Sequence, residues 1–109
     1  MKQNKLFLLI LAPLVFFAEV YAEHVSLATT TSTENSGFLA YIIPIFEKRF
    51  NIEIRTIVQG TGQALETGRR GDVDLLMVHA PTMEKEFIRN GYGITRYPFM
   101  FNDFVIIGP

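Results

Sequence analysis

Hydrophobic and polar positions follow three different rhythms along the chain. From Leu6 to Phe17 the residues are apolar throughout, interrupted only by Pro13. A membrane-spanning helix needs about 20 apolar residues, so this run is too short to cross a bilayer. Lys2 and Lys5 precede it and Val20-Tyr21-Ala22 follows it. Basic, apolar and small-residue regions in that order mark an export signal cut after Ala22.

Beyond Ala22 the apolar spacing alternates between a period of two and a period of about 3.6. His24 to Thr29 puts Val25 and Leu27 on one face and predicts a short strand. Ser32 to Gly37 is rich in residues that begin helices. Leu39, Ile42, Ile43, Phe46 and Phe50 then fall at helical spacing. Pro44 inside that stretch predicts a kink or a restart, because proline removes a backbone donor and crowds the preceding turn. Asn51 suits a left-handed cap. Ile52 to Val58 is β-branched and alternating, a second strand. Gly60-Thr61-Gly62 breaks it, and Gln63 to Arg70 predicts a short helix stopped by Gly71. Val73 to Val78 is nearly continuous apolar sequence, the pattern of a strand buried on both faces. Pro81-Thr82 opens a third helix with Glu84 and Glu86 in its first turn, Met83, Phe87 and Ile88 on its apolar face and Gly91 at its end. Phe101 to Ile107 predicts a last strand, closed by Gly108-Pro109.

Strands alternating with helices predict an α/β fold, a parallel-type sheet with flanking helices. There is no internal repeat, low-complexity tract or linker. The last expected strand is apolar and has no helix after it to cover it, so the chain is expected to be the leading part of a longer reading frame.

Composition narrows the function classes. Residues 23–109 carry 8 Lys and Arg against 10 Asp and Glu, a net charge of −2. No basic field therefore points to nucleic acid or an anionic membrane. The chain has no cysteine, which excludes disulfides, thiolate metal sites, a cysteine nucleophile and a lipid-modified cysteine after the signal. The expected location is periplasmic, with no anchor.

Ligands in open parallel sheets bind at the carboxyl ends of strands. Two such ends share a composition here. The first strand runs into Thr29-Thr30-Thr31-Ser32-Thr33, the second into Gly60-Thr61-Gly62, and each leads directly into a helix. Helix N-termini present unpaired N–H groups and partial positive charge, and hydroxyls and glycines there make an anion cradle. Ordinary capping explains one hydroxyl residue at a helix start, and a tight turn explains two glycines. Two loops of one kind at adjacent strand ends favour an anion site.

Other chemistry finds less support. A phosphate-binding Walker loop requires a lysine after its second glycine, and none follows Gly62 or Gly68. A dinucleotide fingerprint would need glycine at Leu65. His24 lies beside the cleavage site. His79 ends the third strand near the proposed cleft, where a histidine more often packs against its loop than acts as a base. Asp72 and Asp74 read as turn and solubility residues at the opposite edge, and Asp103 as a tie for a crossover. Arg69 and Arg70 suit a helix C-terminus. No Ser/His/Asp set or metal cluster assembles, so neither catalytic nor metal-binding residues are assigned and no cofactor is expected.

The segments ATTTSTENSGFL (28–39), VQGTGQALETGRRGDVDLLMVHAP (58–81) and NGYGITRYPFMFNDFVIIGP (90–109) together resemble the tungstate-binding component of an ABC importer, a periplasmic binding protein of the type II class. The resemblance implies that residues 23–109 are a partial first lobe of a substrate-binding domain, ending at the crossover strand NDFVIIGP. It implies oxyanion donors at Thr30, Thr31, Ser32, Thr61 and Gly62, a tetrahedral anion held without a metal, and delivery to a membrane permease driven by an ATPase. The implied cargo is tungstate, with molybdate as its alternative. Competing readings are a sulfate- or phosphate-binding protein of the same class, a phosphate-ester-handling α/β enzyme using His79, and a truncated remnant without a function of its own.

The exported form is expected to begin at Glu23. Intact-mass measurement of the protein recovered from the periplasm checks this, and a mass that retains Met1 to Ala22 would overturn the signal assignment.

Overall fold

The first strand, β1 (Glu23–Thr30), occupies the centre of a three-stranded parallel sheet. A second strand, β2 (Ile52–Gln59), pairs along its whole length, from Glu23↔Ile52 to Thr30↔Gln59. A third, β3 (Leu75–Met77), pairs on the other side, from Leu27↔Leu75 to Thr29↔Met77. The computed structural model describes residues 23–101 and 105–108. The expected signal segment, 1–22, and the proposed crossover residues Asn102 and Asp103 lie outside them.

Parallel neighbours must be joined by crossovers over a sheet face, and helices supply them. Between β1 and β2 lie α1 (Thr31–Asn35) and α2 (Phe38–Phe50), separated by a turn at Gly37, whose φ of 78° suits glycine. The hydroxyl-rich stretch is thus a helix of its own, not a lead-in to the next. The expected restart at Pro44 does not occur, and α2 runs through it. Asn51 takes the left-handed conformation (φ 55°) that ends α2, its N–H donating to the Glu47 carbonyl at 2.8 Å. The Glu47 carboxylate accepts the Ile54 N–H at 2.8 Å and ties α2 to β2. The apolar stripe of α2 is buried only at its start. Leu39 is 1% exposed, whereas Phe46 and Phe50 are 36% and 52% exposed and lean on each other at 4.7 Å between ring centroids.

The next crossover, α3 (Thr61–Arg69), packs across all three strands and buries Ala64, Leu65 and Thr67. It begins two residues earlier than expected, so Thr61 and Gly62 form its first turn and do not break the strand from the helix. Thr67 Oγ1 donates to Gln59 Oε1 at 2.9 Å, which satisfies a buried hydroxyl. Gly68 lets α3 approach β3, since a Cβ there would lie 2.7 Å from Leu76 Cδ1. The core these contacts enclose is small: Leu27, Ala28, Leu39, Ala64 and Leu65, with Thr29, Thr30 and Thr67 among them.

β3 departs from expectation in length and burial. It spans Leu75–Met77, and Leu75 is 50% exposed. The strand lies at the sheet edge, so only one side carries a ladder. Its entry is set by Asp74, whose N–H donates to the Ser26 carbonyl and whose carboxylate accepts the Ser26 N–H at 2.9 Å and hydroxyl at 2.6 Å. Asp74 therefore ties β3 to β1 and is more than a solubility residue. The expected fourth strand is not found among the described residues. Phe101 and Val105–Ile107 form no strand, and Ile106 and Ile107 are fully or nearly fully exposed. A strand exists only where a neighbour supplies its ladder, and none lies beside these residues.

The last helix, α4 (Pro81–Arg89), has proline at its first position, where no intrahelical donor is lost. Glu84 reaches back to accept the Ala80 N–H at 2.7 Å and is held by Arg96 at 2.5 Å. Glu86 lies a turn further on than expected, 3.8 Å from Arg89.

The Ser26 hydroxyl, and after it the Ser26 N–H, hold the Asp74 carboxyl below its ordinary value of 3.8. A depressed folded-state value contributes stability above the unfolded value and loses it as pH falls through the folded one. Asp74→Asn is expected to lower the denaturation midpoint at neutral pH, with the difference from wild type narrowing below pH 3.8. Urea titrations across that range check this; a pH-independent difference would place the effect elsewhere.

Candidate functional site

In this strand order the chain leaves β1 toward β2 and then recrosses β1 to reach β3. The carboxyl ends of all three strands therefore open on one side of the sheet, where such folds form ligand crevices. Thr30 and Gln59 are register partners, so the Thr-Ser run and the Gly-Thr-Gly run leave the sheet side by side. His79 follows the end of β3 on the other flank of β1.

The five hydroxyls of Thr29–Thr33 have divided tasks. Thr29 Oγ1 donates to the Met77 carbonyl at 3.0 Å and closes the β1–β3 seam. Thr30 is 3% exposed and caps α1, its Oγ1 accepting the Thr33 N–H at 3.3 Å. The same oxygen lies 2.8 Å from Thr33 Oγ1 and 3.1 Å from Ser32 Oγ. Ser32 Oγ lies 2.9 Å from His79 Nε2. Thr31 and Ser32 are exposed at the start of α1. Capping thus accounts for Thr30 and seam closure for Thr29, and neither accounts for Thr31 or Ser32. Thr33 and the Ser32–His79 contact escaped sequence reasoning. The signal for the contact was the shared end of β1 and β3, visible only once their adjacency is known.

Gly60 and Gly62 are separated from Gly68 by what the fold requires of them. Gly60 has an ordinary extended conformation (φ −70°), and a Cβ at either Gly60 or Gly62 would meet nothing within 4 Å. The turn therefore needs neither glycine, and packing needs neither. What their lack of side chains does is leave the first-turn backbone open to close approach. The first intrahelical bond of α3 is Ala64 N–H to the Gly60 carbonyl at 2.9 Å. The amides of Thr61, Gly62 and Gln63 precede it and have no partner within the helix.

The donors gathered here are neutral. The arginines Arg55, Arg69, Arg70, Arg89 and Arg96 pair with Glu53, Glu66, Asp72, Glu86 and Glu84. The structure brings Thr30, Ser32 and His79 into one hydrogen-bonded chain, with Thr31 at its edge and Thr61 and Gly62 in the helix turn that follows the adjoining strand. A groove of about 660 Å³ lies elsewhere, along Leu76, Phe87, Tyr92 and Phe99, and none of the five predicted donors lines it. It is the flank beside the outer edge of β3, which pairs with no strand among the described residues.

Two chemistries suit the cluster. A ring of neutral N–H and O–H donors can replace the water around an oxyanion. A serine 2.9 Å from a histidine also has the spacing of a nucleophile and its base, but that arrangement requires a third group to orient the imidazole. Among the described residues the hydrogen bond recorded for His79 is the one to Ser32.

Residues 22–109 match the PBP superfamily domain. The tungstate-binding protein TupA of Peptoclostridium acidaminophilum is 48% identical over 83 residues, which cover 76% of this chain and 29% of that protein. The crystal structure of the tungstate ABC transporter from Geobacter sulfurreducens superposes with a TM-score of 0.72 at 48% identity, over 79% of this chain and 37% of that one. The tungstate-binding protein TupA from Desulfovibrio alaskensis superposes with a TM-score of 0.65 at 49% identity, over 66% of this chain and 29% of that one. The chain spans about a quarter of the length of the curated relatives it matches.

Proposed function

The chain belongs to the PBP superfamily, and from that premise we propose that it is the leading part of a periplasmic solute-binding protein that captures tungstate, or molybdate, for an ABC importer. In this reading residues 23–109 are part of the first lobe. Thr30, Thr31, Ser32, Thr61 and Gly62 line the oxyanion position, and the protein performs no covalent chemistry. Its partners are a permease and its ATPase at the inner membrane.

The observation that carries the reading is that Gly60 and Gly62 serve neither turn nor packing, yet expose a helix first turn that follows Gln59, the register partner of Thr30 at the head of the Thr31-Ser32 hydroxyls. Relatives named for tungstate support the choice of anion. The mechanism is exchange of solvent for aimed donors. Thr61 and Gly62 offer backbone N–H groups at the start of a nine-residue helix whose dipole favours an anion. α1 is only five residues long, so it contributes hydroxyls and first-turn amides more than dipole. A hydrogen bond to a charged group is worth about 1.5–3 kcal/mol net, and micromolar affinity corresponds to about 8 kcal/mol. Association itself costs several kcal/mol in lost freedom, so the donors of one lobe leave little margin, and burial between two lobes is needed for tight binding.

The test is calorimetric titration of tungstate, with sulfate and phosphate as controls, into two proteins. One is residues 23–109. The other is a chimera joining residues 23–109 to the part of the Geobacter sulfurreducens relative that follows its matching segment. Tungstate is expected to bind the chimera at micromolar Kd or tighter and residues 23–109 weakly or not at all. A folded chimera that ignores tungstate would sink the assignment. In the same chimera Gly62→Ala is expected to leave stability unchanged or raise it by up to about 1 kcal/mol, yet weaken tungstate binding at least about tenfold, or 1.4 kcal/mol. Unchanged affinity would remove Gly62 from the site.

A further inference from the structure

The imidazole of His79 has no part in the anion cradle described so far, yet the fold holds it firmly against one of the proposed donors. Two residues before it, the Met77 carbonyl accepts the Thr29 hydroxyl at 3.0 Å. One residue after it, the Ala80 N–H is taken by the Glu84 carboxylate, itself held by Arg96. The backbone on either side is thus tied down, and His79 Nε2 lies 2.9 Å from Ser32 Oγ.

The serine hydroxyl has one hydrogen. If Nε2 is unprotonated it accepts that hydrogen, and Ser32 can offer an anion only its lone pairs. If Nε2 carries a hydrogen it donates to Ser32 Oγ, and the serine hydrogen is free. The Thr30 hydroxyl, 3.1 Å from Ser32 Oγ, leaves this choice open when the Thr33 N–H and the Thr33 hydroxyl both donate to it, since its two lone pairs are then filled and it can only donate to Ser32. An anion that uses the Ser32 hydroxyl as a donor therefore requires a hydrogen on His79 Nε2. A dianion at that position also favours the doubly protonated, cationic imidazole.

We propose that His79 is a positioning residue of the oxyanion site, directing the Ser32 hydrogen toward the anion by donating from Nε2, and that the dianion, by favouring the doubly protonated imidazole, couples binding to uptake of one proton from solvent at the other ring nitrogen. This rests on the oxyanion reading above and adds to it a pH-dependent step. Imidazoles change charge between about pH 5 and 8. The other histidine, His24, lies at the opposite end of β1 from Ser32. The charged groups on the elements around His79 are Glu23 of β1, Glu34 of α1, Glu66 and Arg69 of α3, which pair with each other, Asp74 before β3, and Glu84, Lys85, Glu86 and Arg89 of α4. Asp74 is bound to Ser26, Glu84 to Ala80 and Arg96, and Glu86 to Arg89. Carboxylates, lysine and arginine ordinarily keep their charge across that window.

The test uses the same chimera, titrated with micromolar tungstate at about pH 6 and about pH 8 in two buffers of different ionisation enthalpy. Wild type is expected to bind about tenfold more tightly at the lower pH, within the usual range of coupling between two binding events, and to take up protons on binding. His79→Gln keeps a side-chain N–H donor but cannot titrate. It is expected to retain affinity near the wild-type value at the higher pH and to lose both the pH dependence and the proton uptake. His79→Ala is expected to bind more weakly at both pH values. Ser32→Ala is expected to bind more weakly at both pH values with His79 still present. A wild-type pH slope in His79→Gln would overturn the proposal, as would unchanged affinity in Ser32→Ala, which would mean the imidazole acts on the anion without the serine. Tungstate binding that is tight and pH-independent would overturn this proposal alone. Absence of tungstate binding by the folded wild-type chimera would overturn the oxyanion reading and this step with it.

Discussion

The double ladder on β1 is the constraint from which the rest of the structure follows. A strand paired in parallel on both sides, with helices crossing its faces, must bury its own carboxyl end, and Leu27, Ala28, Thr29 and Thr30 are all buried in sequence. Burial forces their polar groups to find partners inside the protein. Thr29 answers with the Met77 carbonyl and Thr30 with the start of α1. The residues immediately after them emerge into solvent with hydroxyls and amides still available. The same strand that forms the centre of the core thus delivers the candidate site.

The neutral character of the candidate hydroxyl and amide donors is a consequence of what the chain does with its charges. The ion pairs lie on β2, on the helices and in the turn after α3, mostly exposed, where such pairs contribute little to stability. The exception in burial is Arg96 with Glu84, whose side chains are 26% and 15% exposed. That pair anchors the turn at Ala80 and so fixes the path of His79. A charge pair used to hold a loop leaves the site itself to dipoles, and dipoles aimed by backbone geometry need no rearrangement when an anion arrives.

The three glycines of α3 and its approach show how one residue type serves unlike ends. Gly68 lies under Leu76, and any side chain there would press on β3. Gly60 and Gly62 face open space in ordinary backbone conformations. Sequence alone presents them as one glycine-rich stretch; the packing around each separates a structural role from one directed outward.

Much of the fold was legible in the chain. The β-branched alternation of Ile52 to Val58, the helical spacing from Leu39 to Phe50 and the cap at Asn51 are local patterns, and local sterics and side-chain period decide them. The hydroxyl and glycine loops were legible for the same reason, since strand ends and helix starts are sequence neighbours. Tertiary structure decided what depends on residues distant in sequence. Asp74 looked like a turn residue until Ser26 was found beside it, and the apolar run at Val73–Val78 could not reveal that only one edge would be paired. His79 and Ser32 lie 47 positions apart. Only the order β2-β1-β3 brings them together, because a crossover, not the local chain, sets which strand ends share a crevice.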